Sequence, residues 1–245
     1  GVCLKVLSTN VGFGPAVNQG VSAMKPPPAA IVLIVNPDCT PRQGAIAKLC
    51  GPITSGKADI VSPHILRPKR NGKYKTWFAD GRLNPLTLSV SMRPSRARSR
   101  SMRGSTRVPV VSGAFFAIRA SSFQQLQGFR EDFFLYWEDT DFSIRANASG
   151  HVITHQSDAI ALHLVGQSSS GQTDKSEAFF YFMQRNRLLL FGGQRGLLSF
   201  FLGPPAAYTL AYLLWPLFSS RQNCRKFRAS ALGLIVGVRM LRGSE

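Results

Sequence analysis

Short unbroken apolar runs alternate along the chain with polar breaks rich in glycine and proline, and this spacing predicts an α/β protein. Val2–Leu7 is the first run and predicts a strand. It ends in Ser-Thr-Asn-Val-Gly-Phe-Gly, after which Pro15 suits the first turn of a helix reaching about Met24. Pro26-Pro27-Pro28 stops that helix, and Ala29–Val35 then reads as a strand covered on both faces of a parallel sheet. Strand, helix and strand make a βαβ unit. Asn36-Pro37-Asp38 closes the second strand, and Thr40-Pro41 offers an N-cap and an N1 proline for a helix to about Cys50. Asp38 is thereby placed at the carboxyl end of a buried strand, where open α/β sheets bind ligands.

The pattern breaks at Arg93–Arg107, an Arg/Ser-rich stretch with almost no apolar residue, which predicts a flexible loop. Val108–Arg119 resumes as a strand containing Ser112-Gly113-Ala114, and Ser121 with Gln124 has capping-box spacing for a short helix ending before Gly128. Asp139–Ser149 predicts a helix closed by Gly150, and His151–Leu164 a strand that delivers His163 ahead of the polar run Gly166–Gly171. Ser176–Phe191 follows as a Phe-rich helix carrying Arg185-Asn186-Arg187 and ended by Gly192-Gly193. Gly196–Ser220 is uncharged and reaches the roughly 20 residues of a bilayer crossing. Gly203, Pro204, Pro205 and Pro216 interrupt it, so a re-entrant or interfacial segment stands beside a span. Arg221, Arg225, Lys226 and Arg228 follow, as suits an anionic leaflet. The chain therefore reads as a main domain over 1–192 and a hydrophobic, basic helical extension over 193–245.

With 245 residues, 44% of them hydrophobic, the chain can bury a core, which excludes disorder and coiled-coil architecture for the whole. Thirty Lys and Arg against 12 Asp and Glu give a net charge of +18, which concentrates polyanions or acidic lipids nearby. Cys3, Cys39, Cys50 and Cys224 lie far apart without a C-x-x-C pair, so they read as reduced thiols. The chain begins with Gly1 and shows no signal-peptide pattern, and it reads as starting inside a domain.

Five of the twelve acids, Glu131, Asp132, Glu138, Asp139 and Asp141, crowd among Phe133, Phe134, Tyr136 and Trp137. Aromatic surroundings raise carboxylate pKa values toward general-base range, while the same acids also suit the amino end of a helix. Asp38 fits a hard cation bridging a diphosphate, and Asn-Pro-Asp is also ordinary turn chemistry. His163 reads either as a metal ligand or as a hydrogen-bonded strand-end histidine.

Taken in order, four motifs resemble glycosyltransferase family 2, in particular its bacterial rhamnosyltransferase-like members with a GT-A fold. Asn10-Val11-Gly12-Phe13-Gly14 with Asn18 and Gly20 is similar to the family's N-x-G-F-(A/G)-x-x-x-N-x-G stretch. Val35-Asn36-Pro37-Asp38 looks like the N-P-D form of its D-x-D motif. Ser112-Gly113-Ala114 and the block Gly128–Asp141 resemble its G-F-D-E-x-F-F-x-Y-x-E-D-x-D region, with Arg130 in place of the usual Asp. His163 with Ser168-Ser169 is like the H-x-x-x-x-S-S tail, and Arg185-Asn186-Arg187 follows.

The resemblance implies a GT-A-type, Rossmann-like mixed sheet flanked by helices, with a membrane-associating C-terminal extension. It implies inverting transfer from a nucleotide-diphosphate sugar, such as dTDP-rhamnose or a UDP-galactofuranose, to a hydroxyl of a cell-surface polysaccharide or lipid-linked acceptor. Asp139 would be the catalytic base, supported by Glu138 and Asp141. Asn10, Gly12, Asn18, Asn36, Asp38, Gly113 and Ala114 would bind donor, Gly113 and Ala114 by letting a sugar approach the backbone. Asp38 and His163 would hold Mg²⁺ or Mn²⁺. The implied setting is cytoplasmic, peripheral at the inner face of the cell membrane. Family members normally begin with further strands whose acidic residues hold base and ribose, and this chain aligns after them. Two other readings stay open: an inactive truncated glycosyltransferase, and a basic nucleic-acid-binding protein, against which the motif order argues.

Overall fold

The apolar run before Asn36 does form a strand, β1 (Ile31–Val35), but its neighbour is antiparallel and distant in sequence. In the computed structural model, which describes residues 2, 4–69, 71–92, 104–164, 175–219 and 223–243, the further strands are β2 (Cys39–Pro41), β3 (Ile60–Pro68), β4 (Tyr74–Phe78), β5 (Arg82–Asn84), β6 (Ser89–Ser91), β7 (Ser105–Arg107), β8 (Phe115–Arg119) and β9 (Ile153–His163). Helices are α1 (Phe13–Met24), α2 (Ala45–Thr54), α3 (Ala120–Gln125), α4 (Glu138–Ala148), α5 (Glu177–Arg195), α6 (Leu197–Leu202), α7 (Pro205–Ser219) and α8 (Asn223–Arg242). The main sheet has seven strands in the order β1-β8-β3-β9-β2, with β4 on β3 and β7 on β9. β3 and β9 run parallel, and the other described pairs are antiparallel. The mixed α/β sheet flanked by helices is the GT-A-type architecture expected.

The chain divides into two units. The first is Gly1–Arg82, Val90–Phe134 and Glu138–Ser170, and the second is Leu83–Ser89, Leu135–Trp137 and Gly171–Glu245. In the first, alternate residues of β8 face opposite sides, as the period of two requires. Phe116 and Ile118 join Val21 of α1, Phe123 of α3 and Phe142 of α4 on one face. Phe115 and Ala117 pack with Leu49 and Ile53 of α2 on the other.

Several local expectations are corrected. The described residues of Val2–Leu7 form no strand, and Val2, Leu4 and Val6 are exposed, so there is no βαβ unit and β1 is not in a parallel pair. Thr40-Pro41 caps no helix, because Cys39–Pro41 pairs as β2 with the end of β9, and α2 starts after Gly44 in a left-handed conformation. Only the last part of Val108–Arg119 is a strand, and α3 begins at Ala120 without a side-chain cap. The Arg/Ser stretch lies outside the described residues over 93–103, and its end forms β7. Residues 165–174, including Ser168 and Ser169, are also outside them, as is Arg221. Gly150 closes α4 with φ 80°, as expected.

In the second unit, Gly192-Gly193 does not end α5, which runs on to Arg195. A Cβ at Gly192 would meet Leu241 Cδ1 at 2.9 Å, one at Gly233 would strike the Tyr181 carbonyl, and one at Gly237 would meet Leu188 Cδ2 at 3.0 Å. These glycines let α5 and α8 approach backbone to backbone. Arg187 is fully buried there, donating to the carbonyls of Thr87, Leu88 and Pro205 and to Thr209 Oγ1, between the Phe200 and Tyr208 rings. Carbonyl dipoles and ring faces stand in for a carboxylate partner.

His155 of β9 is 1% exposed, and neither ring nitrogen makes a well-formed hydrogen bond. Burial, with the His64 ring 5.7 Å away, pushes its pKa from 6.5 to about 3. The unfolded chain then takes up the proton first, so stability is complete above pH 6.5 and declines as pH falls toward 3. We expect a slope of roughly 1.4 kcal/mol per pH unit from this group in chemical denaturation. His155→Leu should flatten that part of the profile.

Candidate active site

Three consecutive residues, Ser112-Gly113-Ala114, receive both halves of the site. On one side, the Asn36 N–H donates to the Ala114 carbonyl at 2.9 Å, extending β1 into the turn that carries Asp38. The pairing of Cys39 with His163 between β2 and β9 brings the next side chain into place. His163 Nε2 donates to Asp38 Oδ1 at 3.0 Å, its Nδ1 has no partner, and the Trp77 ring stands edge-on to it at 4.5 Å. Burial pushes the His163 pKa down despite Asp38, so the ring is neutral at pH 7. Burial and Asp38 push the adjacent Cys39 thiol up to about 12, which makes it inert as a nucleophile.

On the other side, the Gly113 N–H donates to Asp139 Oδ2 at 3.0 Å, and Thr140 Oγ1 donates to Oδ1 at 3.3 Å. Glu138 is buried and Asp139 half-buried in the first turn of α4. Burial, reinforced by Asp139, pushes Glu138 up to about 8, and its Oε2 has no hydrogen-bond partner. Burial also raises Asp139, against the opposing hydrogen bonds from Gly113 and Thr140. Asp141 points elsewhere: Arg145 Nε holds it at 2.8 Å and Arg130 lies at 3.6 Å. Arg145 also donates to the carbonyls of Leu126 and Gly128, so Asp141 braces α4 against the loop before it. Arg130, the departure in that motif, pairs with Asp132 at 2.6 Å over the Phe133 ring.

The two glycine- and aromatic-rich motifs turn out to be one joint. Gly12 has φ 93°, and a Cβ there would strike the Phe134 carbonyl, to which the Phe13 N–H donates. A Cβ at Gly14 would lie 2.9 Å from Phe129 Cβ. Asn18 accepts from the Phe129 N–H and donates to the Phe129 carbonyl, both at 2.9 Å, and to Glu131 Oε1 at 3.1 Å. Asn10 Oδ1 accepts from the Gly12 N–H. The side-chain bonds of Asn18 and the Phe13 amide thus hold α1 to the Phe129–Phe134 segment, while Asn10 closes the turn before the helix. The space over Gly113 is also filled by protein, with Phe13 Cε1 at 3.3 Å and Asp139 Cβ at 3.5 Å from an added Cβ. Ala114 is buried.

The conformation of one turn was not visible in the sequence. Tyr136 and Trp137 have φ of 66° and 72°, directly before Glu138. Asn186 Nδ2 donates to the carbonyls of Leu135 and Tyr136, and Trp137 Nε1 donates to the Met183 carbonyl. The Asn in Arg185-Asn186-Arg187 was the available signal.

Two measurements check this description. Asn18→Ala leaves the Phe129 amide and carbonyl without their partner and should lower stability by about 2 kcal/mol in urea denaturation. Glu138 holds a proton longer folded than unfolded, so its contribution is present below pH 4.5 and is lost as pH rises to about 8. Glu138→Gln should remove that loss.

The profile described as Glycosyl transferase family group 2 matches residues 31–242. No curated protein sequence matches the chain significantly. Among solved structures, the chain is similar to the crystal structure of GalNAc-T7 with UDP, GalNAc and Mn²⁺, at 15% identity and a TM-score of 0.55, covering 91% of this chain and 41% of that one. Mannosyltransferase PcManGT from Pyrobaculum calidifontis, in complex with GDP-Man and Mn²⁺, gives 14% identity, a TM-score of 0.43, and coverage of 93% and 55%. S. aureus TarS gives 15%, 0.43, and coverage of 97% and 44%. The chain thus spans less than two thirds of the length of each of these structures. The match over 31–242, on a sheet whose fold GalNAc-T7 shares, shows that the chain belongs to glycosyl transferase family group 2.

Proposed function

We propose that the chain transfers a sugar, with inversion and with a divalent metal, from a nucleotide-diphosphate donor to a hydroxyl of a cell-surface polysaccharide or lipid-linked acceptor. The observation that carries this reading is that Asn36, two residues before the Asp38–His163 pair, and Asp139, next to Glu138, both hydrogen-bond to the Ser112–Ala114 segment. A diphosphate would lie against the first pair and the acceptor hydroxyl against the second.

Among the described residues no three His, Cys, Asp or Glu side chains gather as a metal cage. Asp38 Oδ1 and His163 Nε2 face each other at 3.0 Å, and with the ring proton on Nδ1 they would supply one oxygen and one nitrogen donor, which fits a cation shared with phosphate oxygens. Mg²⁺ or Mn²⁺ held there by Asp38 and His163 would neutralise charge developing on the departing diphosphate. GalNAc-T7, whose fold is shared, was crystallised with UDP and Mn²⁺, the chemistry this reading requires.

Asp139 acts as base. Glu138, pushed up to about 8, keeps its proton near neutrality and so spares Asp139 the repulsion of a second carboxylate. Asp139 takes the acceptor's proton as the acceptor oxygen bonds to the anomeric carbon and the bond to the diphosphate breaks. Asn36 and the 112–114 backbone border the donor, while Gly12 and Asn18 hold α1 in place beside it, Asn10 closes the turn before that helix, and Asp141 steadies α4 through Arg145. Donor choice follows the family resemblance, dTDP-rhamnose ahead of a UDP-galactofuranose. The setting proposed is cytoplasmic, peripheral at the inner membrane face; no described helix is long and apolar enough to cross a membrane.

Asp139→Asn should lower turnover by about 10²–10⁴-fold in a labelled-sugar transfer assay. Calorimetric binding of nucleotide diphosphate with Mn²⁺ should survive that change and be lost in Asp38→Ala. Substantial turnover by Asp139→Asn would remove it from the role of base.

A further inference from the structure

The solvent face of α8 consists of Arg225, Arg228, Leu232, Ile235, Arg239 and Arg242, at successive spacings of three and four that form one stripe, while Gly233 and Gly237 turn inward. Leu232 and Ile235 are 51% and 50% exposed. No Asp or Glu occurs anywhere from α6 to α8. Arg225 and Arg228 lie in the first two turns of α8, whose first turn has no acid, and there the helix dipole disfavours cations. An external anion would offset that.

The neighbouring helices add the apolar half. α7 carries no charged residue, and Leu210, Leu214, Trp215 and Phe218 are exposed along it, Phe218 at 86%. Leu198 and Leu202 of α6 are 74% and 78% exposed. A helix apolar on every side is ordinarily covered. At 15 residues α7 is about 22 Å long, short of the roughly 30 Å hydrocarbon layer, and Pro216 interrupts it. Lying in an interface suits such a helix and crossing does not.

We propose that these helices dock on a bilayer leaflet with anionic headgroups, the arginines of α8 on phosphates and the exposed residues of α6 and α7 among the acyl chains. This deepens the proposed function by naming the surface that would bring the chain to a lipid-linked acceptor. A bilayer offers apolar area and negative charge together. A second copy fits less well, since a symmetric contact through α8 would place arginine against arginine.

The test is co-sedimentation of the whole chain with phosphatidylcholine vesicles, with and without phosphatidylglycerol. Binding should require phosphatidylglycerol, weaken with salt, and fall roughly tenfold or more in Arg225→Glu/Arg228→Glu. Leu214→Gln/Phe218→Gln should lose the binding that survives high salt. No binding to the anionic vesicles, or equal binding by the arginine variant, would overturn the proposal. So would lipid-free self-association abolished by the same substitutions, which would assign the face to a second copy. Asp139→Asn must sediment as the parent does, so vesicle docking and sugar transfer succeed or fail separately.

Discussion

Two consecutive residues with side chains, Tyr136 and Trp137, are held in the left-handed region, in the turn directly before Glu138. Such a conformation costs of order 1–3 kcal/mol per residue and persists only where the surroundings over-determine it. Here they do: Asn186 takes the carbonyls of Leu135 and Tyr136, the Trp137 indole donates to Met183, and the Tyr136 and Trp137 rings meet Phe179 and Phe191 edge-on. Glu138 and Asp139 follow it as the first residues of α4.

Burying two adjacent carboxylates is unfavourable, and the fold meets the problem unequally. Asp139 receives the Gly113 amide, the Thr140 hydroxyl and the positive end of the helix dipole. Glu138 Oε2 receives no hydrogen bond and is the member pushed up to about 8. Burial pushes both carboxyls upward, and at Asp139 the hydrogen bonds from Gly113 and Thr140 oppose that rise. Asp141, one turn on, has its charge met by Arg145 and is mechanical.

The sequence showed where apolar segments lie, and hence most helices and strands, because burial imposes its period locally. It did not show pairing. β1 finds its partner in β8, far along the chain, and a run of five apolar residues reads the same beside a parallel or an antiparallel neighbour. Glycine was ambiguous in the same way: Gly192-Gly193 has the look of a helix end, whereas its use is contact with Leu241. Asp38, His163, Glu138 and Asp139 stood out by residue type and position at element ends, and the structure pairs Asp38 with His163. The bonds of Asn18 to the Phe129 backbone were not legible, since a main-chain partner leaves no trace in residue identity. Asn186 was hidden for the same reason.

The Ser112–Ala114 segment has a consequence of a different kind. Its Ala114 carbonyl accepts from Asn36 and its Gly113 amide donates to Asp139, with a single peptide unit between the two groups. So short a tether lets a displacement at one end alter the hydrogen-bond geometry at the other. Groups that share so short a stretch of backbone are neighbours in the sense that matters for additivity, and the effects of changing Asn36 and Asp139 are expected to couple rather than add.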